Sequence, residues 1–299
     1  MPRLKNLPAH VQLSRAKGDA MLNALSVDVE DWYMVGAFER TISRADWPAK
    51  EVRVERNTDA VLALFAEAGV KSTFFTLGCV AAAHPALIRR IVDAGHEIAS
   101  HGWDHIRVFT MTPDQFRADT MRTRQTIEDA AGVAVTGYRA PSFSIDARTP
   151  WAHEILAEAG YAYSSSVAPL KHDHYGWPEA PRFAFKPVVG SDLVEIPVSV
   201  IDVAGKTLGA GGGFFRLIPY ALSRHAVAKV NGGGHPATFY FHPWDMDPGQ
   251  PFVSDAPLRS KLRHYTNLSA MAGKLKRLAK DFDWGRYDVV VERERARLQ

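Results

Sequence analysis

This 299-residue sequence is poor in several features that would each have pointed to a function. Its one cysteine, Cys79, excludes an intramolecular disulfide and an all-cysteine zinc site. No apolar run approaches the ~18–20 residues that a membrane-spanning helix needs. The opening stretch, MPRLKNLPAHVQLSRAKGDA, lacks the apolar segment of a secretory signal, so a cytoplasmic protein is expected. No phosphate-binding loop, dinucleotide fingerprint or low-complexity tract occurs. Charge of one sign is also missing: 36 Lys+Arg stand against 33 Asp+Glu, a net +3. The balance is uneven along the chain, because residues 21–256 carry 21 basic and 27 acidic side chains while both ends are basic. An acidic body lacks the clustered cations of a nucleic-acid groove, so no nucleic-acid partner is expected. The basic ends are the parts suited to contact an anionic membrane surface.

What is present is a core and a rhythm. Hydrophobic residues make up 46% of the chain and charged residues 23%, as in an ordinary globular domain. Four times an apolar-periodic helix ends in glycine and a short β-rich run follows. LFAEAG precedes Val70–Thr76, RIVDAG precedes His96–Ser100, EDAAG precedes Val133–Tyr138, and LAEAG precedes Tyr161–Ser165. Glycine just past a helix end permits the left-handed cap. Thr112-Pro113 marks one helix start, and Asn57 or Thr58 marks the start of the helix reaching Ala68. Leu22–Val29 opens the series and Ala237–Phe241 closes it. Such alternation implies parallel strands with crossover helices. The irregular stretches 31–56, 166–192, 202–218 and 243–260 are rich in Trp, Pro and Gly. A late apolar stripe, Leu268, Met271, Leu275, Leu278 and Phe282, predicts a tail helix packed on the body.

Residues that carry chemistry fall at the C-terminal ends of these strands: Asp28-Val29-Glu30-Asp31, Ser100 to His105, Tyr138 to Ser142, and Phe241 to Trp244. Parallel α/β folds place their active sites at that edge. His101 and His105 with one carboxylate would give three ligands and leave a fourth position open, the pattern of a catalytic zinc site. Strand alternation puts Asp28 and Glu30 on one face and Asp31 on the other. One of these acids should bind metal and one should handle protons; Asp31 also suits a helix cap. Arg139 could grip the base carboxylate with two parallel hydrogen bonds. His242, opposite a metal, would serve as a general acid near its ordinary pKa of about 6.5.

At these residues the sequence resembles the polysaccharide deacetylases of carbohydrate esterase family 4, the NodB-homology domain. The family's five motifs read here as VDVED, SHGWDH, YRAPSF, YSSSV and FYFHPWDMDP. VDVEDW, GGGFFR, FHPWDMDPGQP and LRHYTNL resemble more closely the deacetylases encoded at exosortase-associated exopolysaccharide loci. The resemblance implies a distorted (β/α)7-type barrel over residues 21–250, after a basic segment 1–20 and before a helical extension 251–299. It implies removal of N-acetyl groups from an acetylated glycan, with a divalent metal, zinc first, as cofactor. Asp28 would be the base, Arg139 its orienting partner and His242 the acid. His101, His105 and a third ligand would hold the metal, Glu30 by spacing or Asp31 if the strand bulges. The Ser142 N–H would steady the oxyanion, and Trp103, Trp177, Phe214 and Trp244 would meet the sugar. The fourth motif departs from the family: Ser164 stands where an aspartate would tune His242. That departure keeps open a catalytically weak glycan-binding protein, and the fold alone leaves open a non-sugar amide as substrate.

Overall fold

The computed structural model describes residues 21–171, 175–203 and 205–299; the basic segment 1–20 lies outside them. Strand β1 (Asn23–Val29) pairs with three other strands, and all seven of its side chains are buried. It is followed by β2 (Thr73–Thr76), β3 (Glu97–Ser100), β4 (Gly137–Tyr138), β5 (Tyr163–Ser164), β6 (Val194–Glu195) and, after an antiparallel hairpin of β7 (Val200–Val203) and β8 (Lys206–Gly209), by β9 (Thr238–Phe241). Parallel ladders run β9–β1–β2–β3–β4–β5–β6. These seven strands form a curled sheet with helices outside, which is the expected distorted (β/α)7-type architecture. Between β6 and β9 the described residues form no ladder. There Ser199 and Thr238 bridge the seam, each backbone N–H donating to the other's hydroxyl at 2.6 and 2.8 Å.

The helices that coat the sheet are α1 (Val54–Ala68), α2 (Gly78–Ala83), α3 (Pro85–Asp93), α4 (Pro113–Ala131) and α5 (Ala152–Glu158). Gly69 and Gly132 close α1 and α4 in the left-handed region, at φ 66° and 71°. Thr112 opens α4 with a reciprocal cap to Gln115. Helix α1 begins three residues before the expected Asn57. The reason is tertiary: the Asp31 carboxylate accepts the N–H groups of Arg53 and Val54 at 2.7 and 3.0 Å, capping the helix from another loop. Asn57 and Thr58 are buried inside it.

Beyond the hairpin come α6 (Gly212–Leu217), α7 (Tyr220–Gly232), α8 (Leu258–Tyr265), α9 (Met271–Asp281) and α10 (Tyr287–Arg297). The predicted tail stripe is realised, with Leu268, Met271, Leu275 and Leu278 buried. The C-terminal segment does more than lie on the barrel. A two-residue strand β10 (Trp284–Gly285) pairs parallel with Asn23 and Ala24 of β1. Tyr287, fully buried, then reaches the interior.

Candidate active site and metal centre

Every strand-end cluster singled out in the sequence converges on one edge of the sheet. The loop after β3 turns back sharply because Gly102 and His105 take positive φ, 74° and 62°. This sets the two imidazoles 5.6 Å apart, centroid to centroid. His101 Nδ1 lies 2.9 Å from the Arg139 carbonyl, which fixes Nδ1 as its donor and leaves Nε2 facing the site. Glu30, at the end of β1, brings Oε2 to 3.1 Å from His105 Nε2. No hydrogen bond aligns between that pair, and Glu30 Oε2 has no hydrogen-bond partner among the described residues. Glu30, His101 and His105 each offer a ligand atom, all within 4.8 Å of one another, and all three are buried. Burial drives the Glu30 carboxyl up to about 7, His101 down to about 4 and His105 well below its usual value. One orphaned carboxylate oxygen beside two neutral imidazoles is a donor set that fits a divalent cation. Asp31, the alternative third ligand, is turned away. Its oxygens are occupied by the N–H groups of Trp32, Arg53 and Val54.

Asp28 sits two residues before Glu30 on the same strand face, as alternation required, and meets Arg139 at 2.6 Å. The contact is single rather than the expected two-pronged grip, because the rest of the guanidinium is engaged elsewhere. Its Nη1 also donates to Ser26, its Nη2 to the Ser165 and Tyr287 hydroxyls, and its Nε to the Ser165 carbonyl. The group lies 4.0 Å over the Phe75 ring and is fully buried. A buried cation so fully engaged cannot swing, so it fixes Asp28 in place.

Across from this pair His242 ends β9, with Nε2 3.6 Å from Glu30 Oε1. Its charged partner is not at the fourth motif. Ser164 donates to Ser166 at 2.8 Å instead. The partner is Asp245, whose Oδ2 lies 3.0 Å from His242 Nδ1 and also accepts the His242 backbone N–H. Asp245 is in turn 2.6 Å from Arg216 Nε, an ion-pair contact not aligned as a hydrogen bond. Arg216 is buried, and its other donors reach the carbonyls of Arg263, His264 and Thr266. Burial works against the imidazolium of His242. It is outweighed by the Asp245 hydrogen bond and the negative charges around it, and the pKa rises to about 9. Burial likewise opposes the Asp245 carboxylate, but Arg216 and His242 hold it at about 2. Asp245 and Arg216 were missed in the sequence. For Asp245 a signal existed: it stands three residues after His242 and two after Pro243, the spacing of a reciprocal helix cap.

Asp28, Glu30, His105, Arg216 and His242 line one cleft, together with Ser142, Phe143, Arg107, Phe214, Tyr240 and Trp244. Ser142 sits at its wall with φ 53°. Phe214 faces it as expected. Trp244 lines it too, but its ring is stacked between His242 and His264 at 4.6 and 4.4 Å and its Nε1 donates to Glu30. It supports the acid more than it offers a free sugar platform. Trp103 is not in the cleft; its ring lies under the Arg122 guanidinium at 3.3 Å. Trp177 packs on the main core.

Comparison with known proteins sets this arrangement beside the polysaccharide deacetylases. Residues 46–164 match the family model for polysaccharide deacetylase, and residues 165–292 match a domain of unknown function, DUF3473. The chain is 32% identical over 119 residues to a peptidoglycan deacetylase of Helicobacter pylori, covering 40% of this chain and 38% of that protein. It is 26% identical over 194 residues to chitin deacetylase 1 of Cryptococcus neoformans var. grubii, covering 58% and 41%. It thus spans about two fifths of the length of these curated relatives. A solved structure from Mycobacterium smegmatis, assigned to the polysaccharide deacetylases, has a TM-score of 0.60 at 23% identity, over 95% of this chain and 93% of that one. That likeness bears on the fold. Residues 46–164 thus carry the likeness to polysaccharide deacetylase, and the fold is that of a solved structure assigned to the same group. His101, His105 and Arg139 lie in the first matched region; Arg216, His242, Asp245 and Tyr287 lie in the second.

Proposed function

We propose that this protein is a metal-dependent N-deacetylase acting on acetamido sugars of a polysaccharide or its precursor. The observation that carries the reading is the opposition of two proton-handling groups across one donor set: Asp28 on Arg139, and His242 on Asp245, with Glu30, His101 and His105 between them. A divalent cation on those three residues, zinc in this reading, would supply Lewis acidity toward the acetyl carbonyl and toward water. The remaining chemistry belongs to the chain. Asp28, fixed in place by Arg139, accepts a proton from the attacking water. His242, charged through Asp245, delivers a proton to the sugar nitrogen as the C–N bond breaks, so that acetate and a free amine leave. Ser142 is assigned the oxyanion contact through its N–H, and Phe214 a contact with the sugar. The closeness of GGGFFR, FHPWDMDPGQP and LRHYTNL to exosortase-locus deacetylases supports a role in exopolysaccharide synthesis.

The ground for a catalytically weak binding protein was the lost fourth-motif aspartate, and Asp245 supplies that charge from elsewhere. The experiment is acetate release from N-acetylglucosamine oligomers by zinc-loaded protein, wild type against Asp28→Asn. Release by the wild type alone supports the reading. No release from any acetylated glycan, with metal bound, overturns it.

A further inference from the structure

Helix α8 turns two faces in different directions. Ser260 and Arg263 line the cleft, with Leu217 at the end of α6 beside them. On the opposite side Leu258, Lys261, Leu262 and Tyr265 follow the i, i+3, i+4, i+7 spacing of a single helical face. Leu258 is 70% exposed and Leu262 57%. Phe252, 66% exposed, extends this face. Its ring lies 5.0 Å from that of Tyr265 and 5.8 Å from the Lys261 ammonium. Leu217, also exposed, lies on the cleft side with Ser260 and Arg263. Exposed leucines scattered singly are ordinary, but three large apolar side chains, Phe252, Leu258 and Leu262, gathered on the outer side of α8 mark an interaction surface. From Phe252 to Tyr265 the chain has three cations, Arg259, Lys261 and Arg263, against one acid, Asp255.

From this we infer that the outer face of α8 docks on an anionic lipid surface while the inner face of the same helix lines the cleft, so that the glycan is met close to that surface, on a lipid-anchored carrier. Apolar side chains on a segment of net positive charge suit the boundary between headgroups and acyl chains, where burial and attraction to anionic lipid add. The mode is lying on the membrane, since no described helix is long and apolar enough to cross one. The surface refines the expectation that the basic C-terminal end meets a membrane, placing the contact at residues 252–262. That the cleft takes a glycan rests on the proposed reaction, whereas the docking surface does not.

The test is flotation of the full chain with phosphatidylcholine vesicles, with and without phosphatidylglycerol, alongside acetate release from soluble oligomers. Wild type should float with the anionic vesicles. Leu258→Glu with Leu262→Glu should lower partitioning tenfold or more, on the order expected for losing two inserted leucines. Lys261→Ala should lower it by about fivefold, the contribution of one cation near an anionic surface. Both variants should keep wild-type rates on soluble oligomers, which shows that they fold. Flotation undiminished in the double variant overturns the proposal, and so does equal binding to neutral vesicles. A wild-type dimer that the double variant dissociates, without flotation of either, assigns the face to a second copy and also overturns it. A protein that floats but deacetylates nothing overturns the proposed reaction and leaves the surface standing; one that deacetylates but never floats does the reverse.

Discussion

On one bank of the cleft, Glu30, His101 and His105 come from one strand end and one short loop. On the other, His242 depends on Asp245, which depends on Arg216, which is held by three backbone carbonyls between Arg263 and Thr266. The first bank is local, so its chemistry appears in the sequence as a spacing. The second is tertiary. A carbonyl belongs to every residue, so the clamp on Arg216 leaves no residue type to read. The difference shows in partners too. The first bank has a carboxylate oxygen with no hydrogen-bond partner among the described residues beside neutral imidazoles, a donor set that fits a cation, while the second compensates its charges within the protein.

The comparison breaks most visibly on the metal bank and its base. His101→Ala should lose bound divalent metal, measured by elemental analysis. Asp28→Asn should keep it and yet slow acetate release by about 10³-fold or more, near the upper range for removing a general base. Asp245→Asn attacks the other bank. It should lower kcat on the order of 10²-fold to 10³-fold with KM little changed and metal content intact, because the loss falls on proton delivery to the leaving amine. An unchanged kcat would show that His242 works without its partner.

The same contrast appears in stability against pH for the metal-free protein. The folded pKa of His242 lies above its ordinary value of 6.5, at about 9. Its stabilisation is therefore complete below pH 6.5 and is lost as pH rises through about 9. The melting temperature should fall across that window, and Asp245→Asn should flatten the fall. A smaller effect is expected at Asp31. Asp31→Ala should leave metal binding untouched and cost about 1–2 kcal/mol in urea unfolding, the loss of a helix cap. The smallest is Tyr287→Phe, which removes one hydrogen bond from Arg139 and should cost about 1 kcal/mol.

Legibility followed the same division. The βα rhythm predicted six strands that form, each begun one to four residues late. Strands β6 and β10, two residues each, have too little length to show any period. Alternation and motif spacing together ranked Glu30 above Asp31. Trp103 misled because an aromatic between two metal-type histidines looks like a sugar contact, and nothing in one dimension announces that Arg122 lies over it. Ser164 misled in the opposite sense: a lost aspartate reads as a lost function until the substitute charge is seen at Asp245.

Strand β1 carries Asp28 and leads directly into Glu30, and its full set of neighbours includes the pairings most distant in sequence. One flank waits for Thr238–Phe241, and its first residues wait for Trp284–Gly285, more than 250 positions away. Pairings of such sequence separation close late, after the loop entropy of nearly the whole chain has been overcome. The reactive carboxylates are thus made first and positioned last. A chain interrupted before Trp284 would expose the edge of β1 and leave Arg139 without Tyr287, so competence for catalysis and completion of folding arrive together.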